Sequence, residues 1–392
     1  MSETWPLRRM SLAMFGAGFA NFSILYCVQP LLPAFAREFG LGAAQASLAL
    51  SVATGVIAFC VLLTSSLSDA FGHRRTMIVS LVASAMMTLA AALAPDWTSL
   101  VAARALAGLT MSAFLPSAMA YLAEETPPRS VGLAVGLYIG GSAFGGMLAR
   151  VIAGVLADVA SWRWALAMVG AGALAAALAM PRLLPPARHF TPRPLALRPV
   201  FAAFATHLRD PVLAPLFLAG MLLMGAFVTI FNYVGFHLMA PPFGLSQAAA
   251  GFIFVVYPVG SLGSAWLGAL AGRWRREPVF TGAILIMAAG VAATLSEQLV
   301  VAVLGMAVMT FGFFGAHSIA TAWVGARASV ARAQASSLYL AFYYLGSSLL
   351  GGLGGLFWDR GGWSGVVAAT AALIVILGGV ALRLLALARA VR

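Results

Sequence analysis

Twelve long apolar runs, roughly 11–35, 45–68, 76–94, 97–123, 131–157, 162–181, 211–238, 247–271, 278–295, 298–325, 333–357 and 364–386, leave this chain few places to fold except a lipid bilayer. Crossing the hydrocarbon core takes about 20 apolar residues of helix. The chain is 62% hydrophobic and only 9% charged, and its mean hydropathy is +0.97. The runs lack the ~10-residue alternation of a membrane β-barrel. The expected class is an all-α membrane protein with twelve transmembrane helices in two pseudo-symmetric six-helix bundles.

Charge then sets the expected topology. The 23 basic residues are all arginine, against 11 acidic residues. With the N-terminus in the cytoplasm, only Arg37, Arg163 and Arg360 fall in outer loops, and Arg104 and Arg150 fall inside spans. The other eighteen, Arg188, Arg193 and Arg392 among them, collect on the cytoplasmic side, as the positive-inside rule requires. The net charge of +12 is therefore a topology signal with some attraction to anionic lipid, and it implies no nucleic-acid partner. The first run follows Arg8-Arg9 but is too long for a signal-peptide core, so it reads as a retained helix. Both termini are expected in the cytoplasm. Cys27 and Cys60 lie inside spans and suggest neither a disulfide framework nor a metal site.

A proline- and arginine-rich stretch from Pro181 to Pro211 divides the chain into an N-terminal bundle (1–181), a cytoplasmic linker (182–210) and a C-terminal bundle (211–392). The halves echo each other. Phe39-Gly-Leu-Gly-Ala-Ala-Gln45 opens the second span and Phe243-Gly-Leu-Ser-Gln247 the eighth, and each span ends in a basic loop. Parallel repeats of this kind build one class of secondary transporter. Small residues mark close helix contacts, because lipid provides no hydrophobic drive between helices. Gly108, Gly136, Gly140, Gly141, Gly145 and Gly146 are the expected packing glycines of the first half. The fifth span is expected against the eighth, and the second against the eleventh.

Between the second and third spans stands Ser65-Ser-Leu-Ser-Asp-Ala-Phe-Gly-His-Arg-Arg75. Asp69 can meet the positive N-terminus of a helix, and the eleventh span begins on the same side near Ser336. Gly72 permits a tight turn. This loop resembles the one between the second and third spans of major facilitator superfamily transporters, with Ser65 where the family usually has Gly and Ala70 where it often has a basic residue. The resemblance implies a gating latch of Asp69, Gly72, Arg74 and Arg75. Arg104, four residues before Gly108, resembles the fourth-span motif of proton-coupled members, with Ala107 in place of the usual Gln. Gly141-Ser-Ala-Phe-Gly145-Gly146 resembles the fifth-span antiporter signature, with Ser142 in place of Pro. That points to the drug and sugar-efflux branch, including arabinose-efflux-type permeases.

A charge inside a span is costly and functional by default. Arg104, Arg150 and His317 are therefore the candidates for coupling or substrate charge. Arg104 could instead snorkel to the outer interface, Arg150 could pair with Asp158 or Asp96, and His317 could be a hydrogen-bonded packing residue. No acidic residue falls in the middle of a span, which favours a neutral or anionic substrate over a cation. Asn21, Tyr26, Gln29, Tyr138, Asn232, Tyr233, Tyr339 and Tyr343 are the cavity candidates. Trp162, Trp164, Trp358 and Trp363 read as interface anchors.

No metalloprotease, nucleophile-elbow or nucleotide-binding motif is present, so neither an enzyme nor an ATP-driven pump is expected, and no cofactor. The expected function is secondary active transport of a small molecule by alternating access in the cell inner membrane, as proton-coupled efflux by a monomer. The alternatives are an uptake permease for a neutral or anionic solute, and a transport-inactive sensor of the same fold.

Overall fold

The computed structural model describes residues 4–127, 129–187, 190–191 and 197–390. Arg188, Arg193 and Arg392 of the charge argument lie outside them. The first span runs through α1 (Thr4–Tyr26), a 3-10 turn (Gln29–Leu31) and α2 (Leu32–Phe39), and the second through α3 (Ala43–Ala46) and α4 (Leu48–Phe71). The third is α5 (His73–Ala92), the fourth α6 (Trp97–Met111) with α7 (Phe114–Glu125), the fifth α8 (Val131–Val159) and the sixth α9 (Trp162–Leu183). After α10 (Leu197–Arg209) comes the seventh, α11 (Leu213–Met239). The eighth joins α12 (Gln247–Gly251), a 3-10 turn (Phe252–Val256) and α13 (Tyr257–Arg273). The ninth is α14 (Arg276–Ala293) and the tenth α15 (Leu299–Arg327). The eleventh starts as α16 (Arg332–Leu345), passes a π-helical segment (Gly346–Leu350) and enters α17 (Gly351–Ala390).

Ten helical stretches among the described residues are long and apolar enough to cross a membrane. One of them, Arg332–Arg389, has 58 residues, which as straight helix would reach about 87 Å, far beyond one bilayer. It turns back at Gly362 (φ 55°, ψ −143°), a conformation that glycine alone adopts readily, and so supplies two crossings. With α4, which carries the shorter apolar stretch Leu48–Thr64, the total is twelve.

Prolines decide where the spans break. Pro116 has no N–H to donate to the Ser112 carbonyl. The fourth span opens between α6 and α7 at that point, and Thr64 Oγ1 supplies the missing donor at 2.9 Å. Pro30 and Pro33 interrupt the first span in the same way, between α1 and α2. In the eleventh span the α-helical ladder lapses into the π-helical segment, and the seventh span caps it. Thr229 Oγ1 donates to Leu350 O at 3.1 Å, and Tyr233 Oη to the Gly351 and Gly352 carbonyls at 3.0 and 2.9 Å.

The glycines sort differently from expectation. A Cβ at Gly141 or Gly145 would overlap the main chain of Phe15 or Phe19, and Ser23 Oγ donates to Gly145 O at 3.1 Å. The fifth span therefore presses its glycines on the first span of its own half, more than on the eighth. Gly108 seats on the Ala53 main chain, and Gly146 lies beside Phe22 and the Arg150 guanidinium. Gly136 and Gly140 pack against nothing: no atom stands within 4 Å of where their Cβ would be. They sit on the open face of α8, whose repeat of about 3.6 residues turns only alternate pairs toward α1. Between the halves, the fifth span meets the eighth where Gly154 faces Gly251. The second meets the eleventh where Ser51 faces Gly352 and Ala44 faces Gly355.

Two further departures concern the ends of spans. Trp162 and Trp363 are core residues. Trp162 packs edge-on against Phe35 and donates to Glu38, while Trp363 stacks on His237 at 4.4 Å and donates to Thr294 O at 2.9 Å. The linker contains a helix, α10, with Pro199 in its first turn, where no intrahelical donor is required. It buries Val200, Phe204 and His207, and His207 Nε2 bonds Ala331 O at 3.1 Å, which ties it to the second bundle. Just beyond it, Asp210 caps α11 through the Val212 and Leu213 amides, and Arg327 grips its carboxylate at 2.9 Å. Partial burial raises the Asp210 pKa, but the Arg327 bond and the two amides outweigh it and leave the carboxyl below the usual aspartate value.

Candidate functional site: a buried arginine between the bundles

The latch loop bonds within its own half. Gly72 turns at φ 95° between α4 and α5. Asp69 was expected against the start of the eleventh span. Its side chain is instead 42% exposed, and its ionic neighbour is His73 of its own half at 3.8 Å. His73 is buried. It bonds Ser68 Oγ through Nδ1, and its Nε2 lies 3.2 Å from Glu124. Arg74 reaches across to the sixth span and donates to Pro181 O at 2.8 Å and Leu184 O at 3.3 Å. Arg75 is exposed.

Arg104 finds its partners in the main chain. It is wholly buried. Nε donates to Ala49 O at 3.0 Å, Nη1 to Ile24 O at 2.9 Å and Nη2 to Leu25 O at 2.9 Å. The first span unwinds next to these carbonyls, and the guanidinium fork clamps it to the second and fourth spans.

Arg150 is the charge between the bundles. It is 2% exposed, yet among the described residues no acidic side chain pairs with it. Asp96 instead caps α6 through Ser99, and Asp158 accepts from the Ala248 amide at 3.3 Å. Arg150 Nε donates to Gln29 Oε1 at 2.7 Å and Nη1 to Gly146 O at 2.8 Å. The guanidinium carbon lies 4.1 Å from the Tyr26 ring centre, 4.5 Å from Tyr257 and 5.0 Å from Phe254. Aromatic faces partly offset the cost of burying a cation. They leave its charge uncompensated.

Gln29 passes the contact on. Its Nε2 donates to Asn232 Oδ1 at 2.8 Å, joining the first and seventh spans. Further from the latch loop, Gln247 donates to the Pro30 carbonyl and accepts from Arg37 at 3.3 Å. These ties hold the halves together at the face opposite the arginine-rich one. His317, partly accessible, lies in the second bundle. Its Nδ1 is 2.9 Å from Tyr339 Oη, and its ring is 4.7 Å from Tyr343. Phe227 packs on Tyr257, beside Arg150, and stacks on Phe313, beside His317, so the two candidate charges share one aromatic surround.

The remaining candidates divide. Asn21 lines a small cavity between the halves with Leu25, Ile57, Met111 and Tyr344, and its Oδ1 has no partner in the protein. Tyr138 is buried behind the first span with its Oη unpartnered. Tyr233 is spent on the eleventh-span carbonyls. Tyr257, Phe254, Phe227 and Phe313 went unnoticed in the sequence although they build the aromatic wall, in which Phe227 stacks on Phe313 at 3.9 Å. A signal existed in Tyr257-Pro258, an aromatic beside a helix-breaking residue in mid-span.

Two repeats with broken spans, joined across a buried cation, are the build of a secondary transporter, and comparison with known proteins agrees. The model of the Major Facilitator Superfamily matches residues 14–241, more than half the chain. The chain belongs to the Major Facilitator Superfamily. Among superfamily relatives, the inner membrane transport protein YnfM of Escherichia coli is 44% identical over 368 residues, covering 94% of this chain and 88% of the relative. The MFS-type transporter YybF of Bacillus subtilis is 43% identical over 360 residues, covering 92% and 89%. In fold the chain is similar to a bacterial homologue of the human lysosomal transporter Spinster, in an inward-facing and occupied conformation. That match has a TM-score of 0.79 at 16% identity and covers 99% of this chain and 98% of the other. The nucleoside transporter NupG gives 0.78 at 16% identity, covering 96% and 99%. The chain is thus a multi-pass membrane transporter of this superfamily, not an enzyme.

Proposed function

We propose that the chain exports a small anionic or neutral organic solute across the inner membrane by alternating access, in exchange for protons. The arginine-rich face is cytoplasmic in this reading, as are both termini. In this reading Gln29, Asn232, Gln247 and Arg37 tie the halves at the outer face.

One observation carries the substrate class: Arg150 is buried among aromatic rings with no acidic partner among the described residues. An unpaired buried cation is expensive, and an anionic group entering the cavity would relieve that cost. The aromatic wall suits a solute with a planar or apolar body. His317 is the proton site in this reading, as an ionisable side chain inside a span that faces Tyr339 and Tyr343. The outward direction rests on the resemblance of Gly141–Gly146 to the antiporter signature.

Flux in proteoliposomes of the purified protein, with and without an imposed pH gradient, tests the reading over a panel of anionic, neutral and cationic compounds. Export of anions or neutral solutes stimulated by an inward proton gradient supports it. Export confined to cations sinks the substrate class, proton-driven accumulation in the opposite direction makes the protein an uptake permease, and no flux makes it a sensor.

A further inference from the structure

The small cavity at Asn21 has about 10 Å³ of free space, between Asn21, Phe22, Ile57, Met111 and Ser112 of the first bundle and Tyr344 of the second. That is room for one water-sized group and no more. Asn21 is 5% exposed, and its Oδ1 has no hydrogen-bond partner. Ser112 Oγ has spent its proton on Leu109 O at 2.7 Å, so in this cavity it too can only accept. A buried acceptor with no donor is unfavourable, and a single hydroxyl group entering here would satisfy it. No acidic side chain among the described residues lines the cavity, so nothing there calls for a cation.

The cavity adjoins both candidate charges. Phe22, in its wall, packs on Tyr26 at 6.0 Å, and the Arg150 guanidinium lies over the Tyr26 ring at 4.1 Å. Tyr344, on the side of the second bundle, packs edge-on against Tyr343 at 5.5 Å, and Tyr343 lies 4.7 Å from the His317 ring. Asn21 and Tyr26 are five residues apart on α1, about 7.5 Å along its axis. We propose that this cavity receives one hydroxyl group of the transported solute, which donates to Asn21 Oδ1 while the body of the solute lies on the aromatic wall beside Arg150. This rests on the proposed export of an anionic or neutral solute and names a group that the solute carries. In an anionic solute the hydroxyl would stand about 7–8 Å from the charge, a separation that one aromatic ring with a short side chain spans. A solute lacking the hydroxyl leaves a buried acceptor unpaired, which is how a site of this kind discriminates.

Initial rates in proteoliposomes of the full-length chain test this with two pairs of probes that differ by one hydroxyl. Para-hydroxyphenylpropionate and phenylpropionate are the anionic pair, and para-hydroxyphenylacetamide and phenylacetamide the neutral pair. The wild type should carry the hydroxylated member of at least one pair about tenfold faster, the factor expected of one hydrogen bond to a buried group. Asn21→Leu, which keeps the side-chain volume and removes the acceptor, should erase that preference. Its melting temperature should not fall, because an orphaned polar atom has been removed; a merely structural asparagine would show the reverse, lost stability with the preference kept. Arg150→Gln should slow both anions and keep their ratio. Equal rates within each pair for the wild type overturn the proposal, leave export standing and assign the cavity to a water alone. An unchanged preference in Asn21→Leu overturns it too. No flux of any of the four probes, while other anions or neutral solutes are exported, overturns the proposal alone; no flux of any solute overturns the transport reading with it.

Discussion

Gln29 and Asn232 meet amide to amide at 2.8 Å, the first span holding the seventh, while the other end of the Gln29 amide accepts from Arg150 at 2.7 Å. One neutral side chain therefore joins the buried charge to the contact that shuts one face of the transporter. Whatever engages Arg150 also acts on that closure, which is a direct physical route from occupancy to gating.

Gln29→Ala should loosen the closed face. Losing a buried hydrogen bond costs about 1 kcal/mol, enough to shift a two-state equilibrium roughly fivefold. Spin labels at Leu41 and Arg360 should show a larger share of long distances than the wild type, and an unchanged distribution would mean the amide pair does not hold the gate.

Arg150→Gln should cut flux of anionic substrates by about 10–100-fold, the range set by a lost hydrogen bond to a charged group, with thermal stability little changed. Arg150→Lys should recover only part, since an ammonium cannot keep the forked bonds to Gln29 and Gly146. Initial rates in proteoliposomes decide this.

Arg104→Gln should behave in the opposite way. It strips donors from the Ile24, Leu25 and Ala49 carbonyls, and each orphaned buried acceptor costs about 1–3 kcal/mol. The expected loss is of folded protein, read as yield and melting temperature in detergent. Protein that does fold should transport with near-normal affinity.

Gly145→Val should fail to assemble, because its side chain would collide with the Phe19 main chain, whereas Gly136→Ala and Gly140→Ala should be silent. Overpacking of this kind costs about 1–3 kcal/mol or more. Size-exclusion profiles of the three variants check the contrast.

The Asp210–Arg327 contact predicts a pH effect on how the start of α11 is held to the end of α15. The folded carboxyl lies below its unfolded value of about 3.9, so its stabilisation is complete above that value and disappears as pH falls through the lower folded value. Asp210→Asn should destabilise by about 1 kcal/mol at neutral pH, the size of a helix cap. Melting curves of wild type and variant should draw together as the pH falls below the unfolded value of about 3.9.

The all-helical membrane class and the crossings were legible because both are local matters. An apolar run of sufficient length must be helical in lipid, since no other conformation satisfies its backbone there. Arg104, Arg150 and Gln29 were also visible, as polar residues where polarity is expensive. Their partners could not be read from the chain. Arg104 and Arg150 look alike in sequence, each a lone arginine in an apolar helix. Only packing turned one onto three main-chain carbonyls and left the other among aromatic rings without a counter-charge. Likewise Gly140 and Gly141 are neighbours in the chain, yet one faces open space and the other the Phe15 backbone. The sequence by itself determined that these groups would be buried or confined; the tertiary structure alone decided what each would meet, because side-chain direction depends on how helices distant in sequence are rotated against one another.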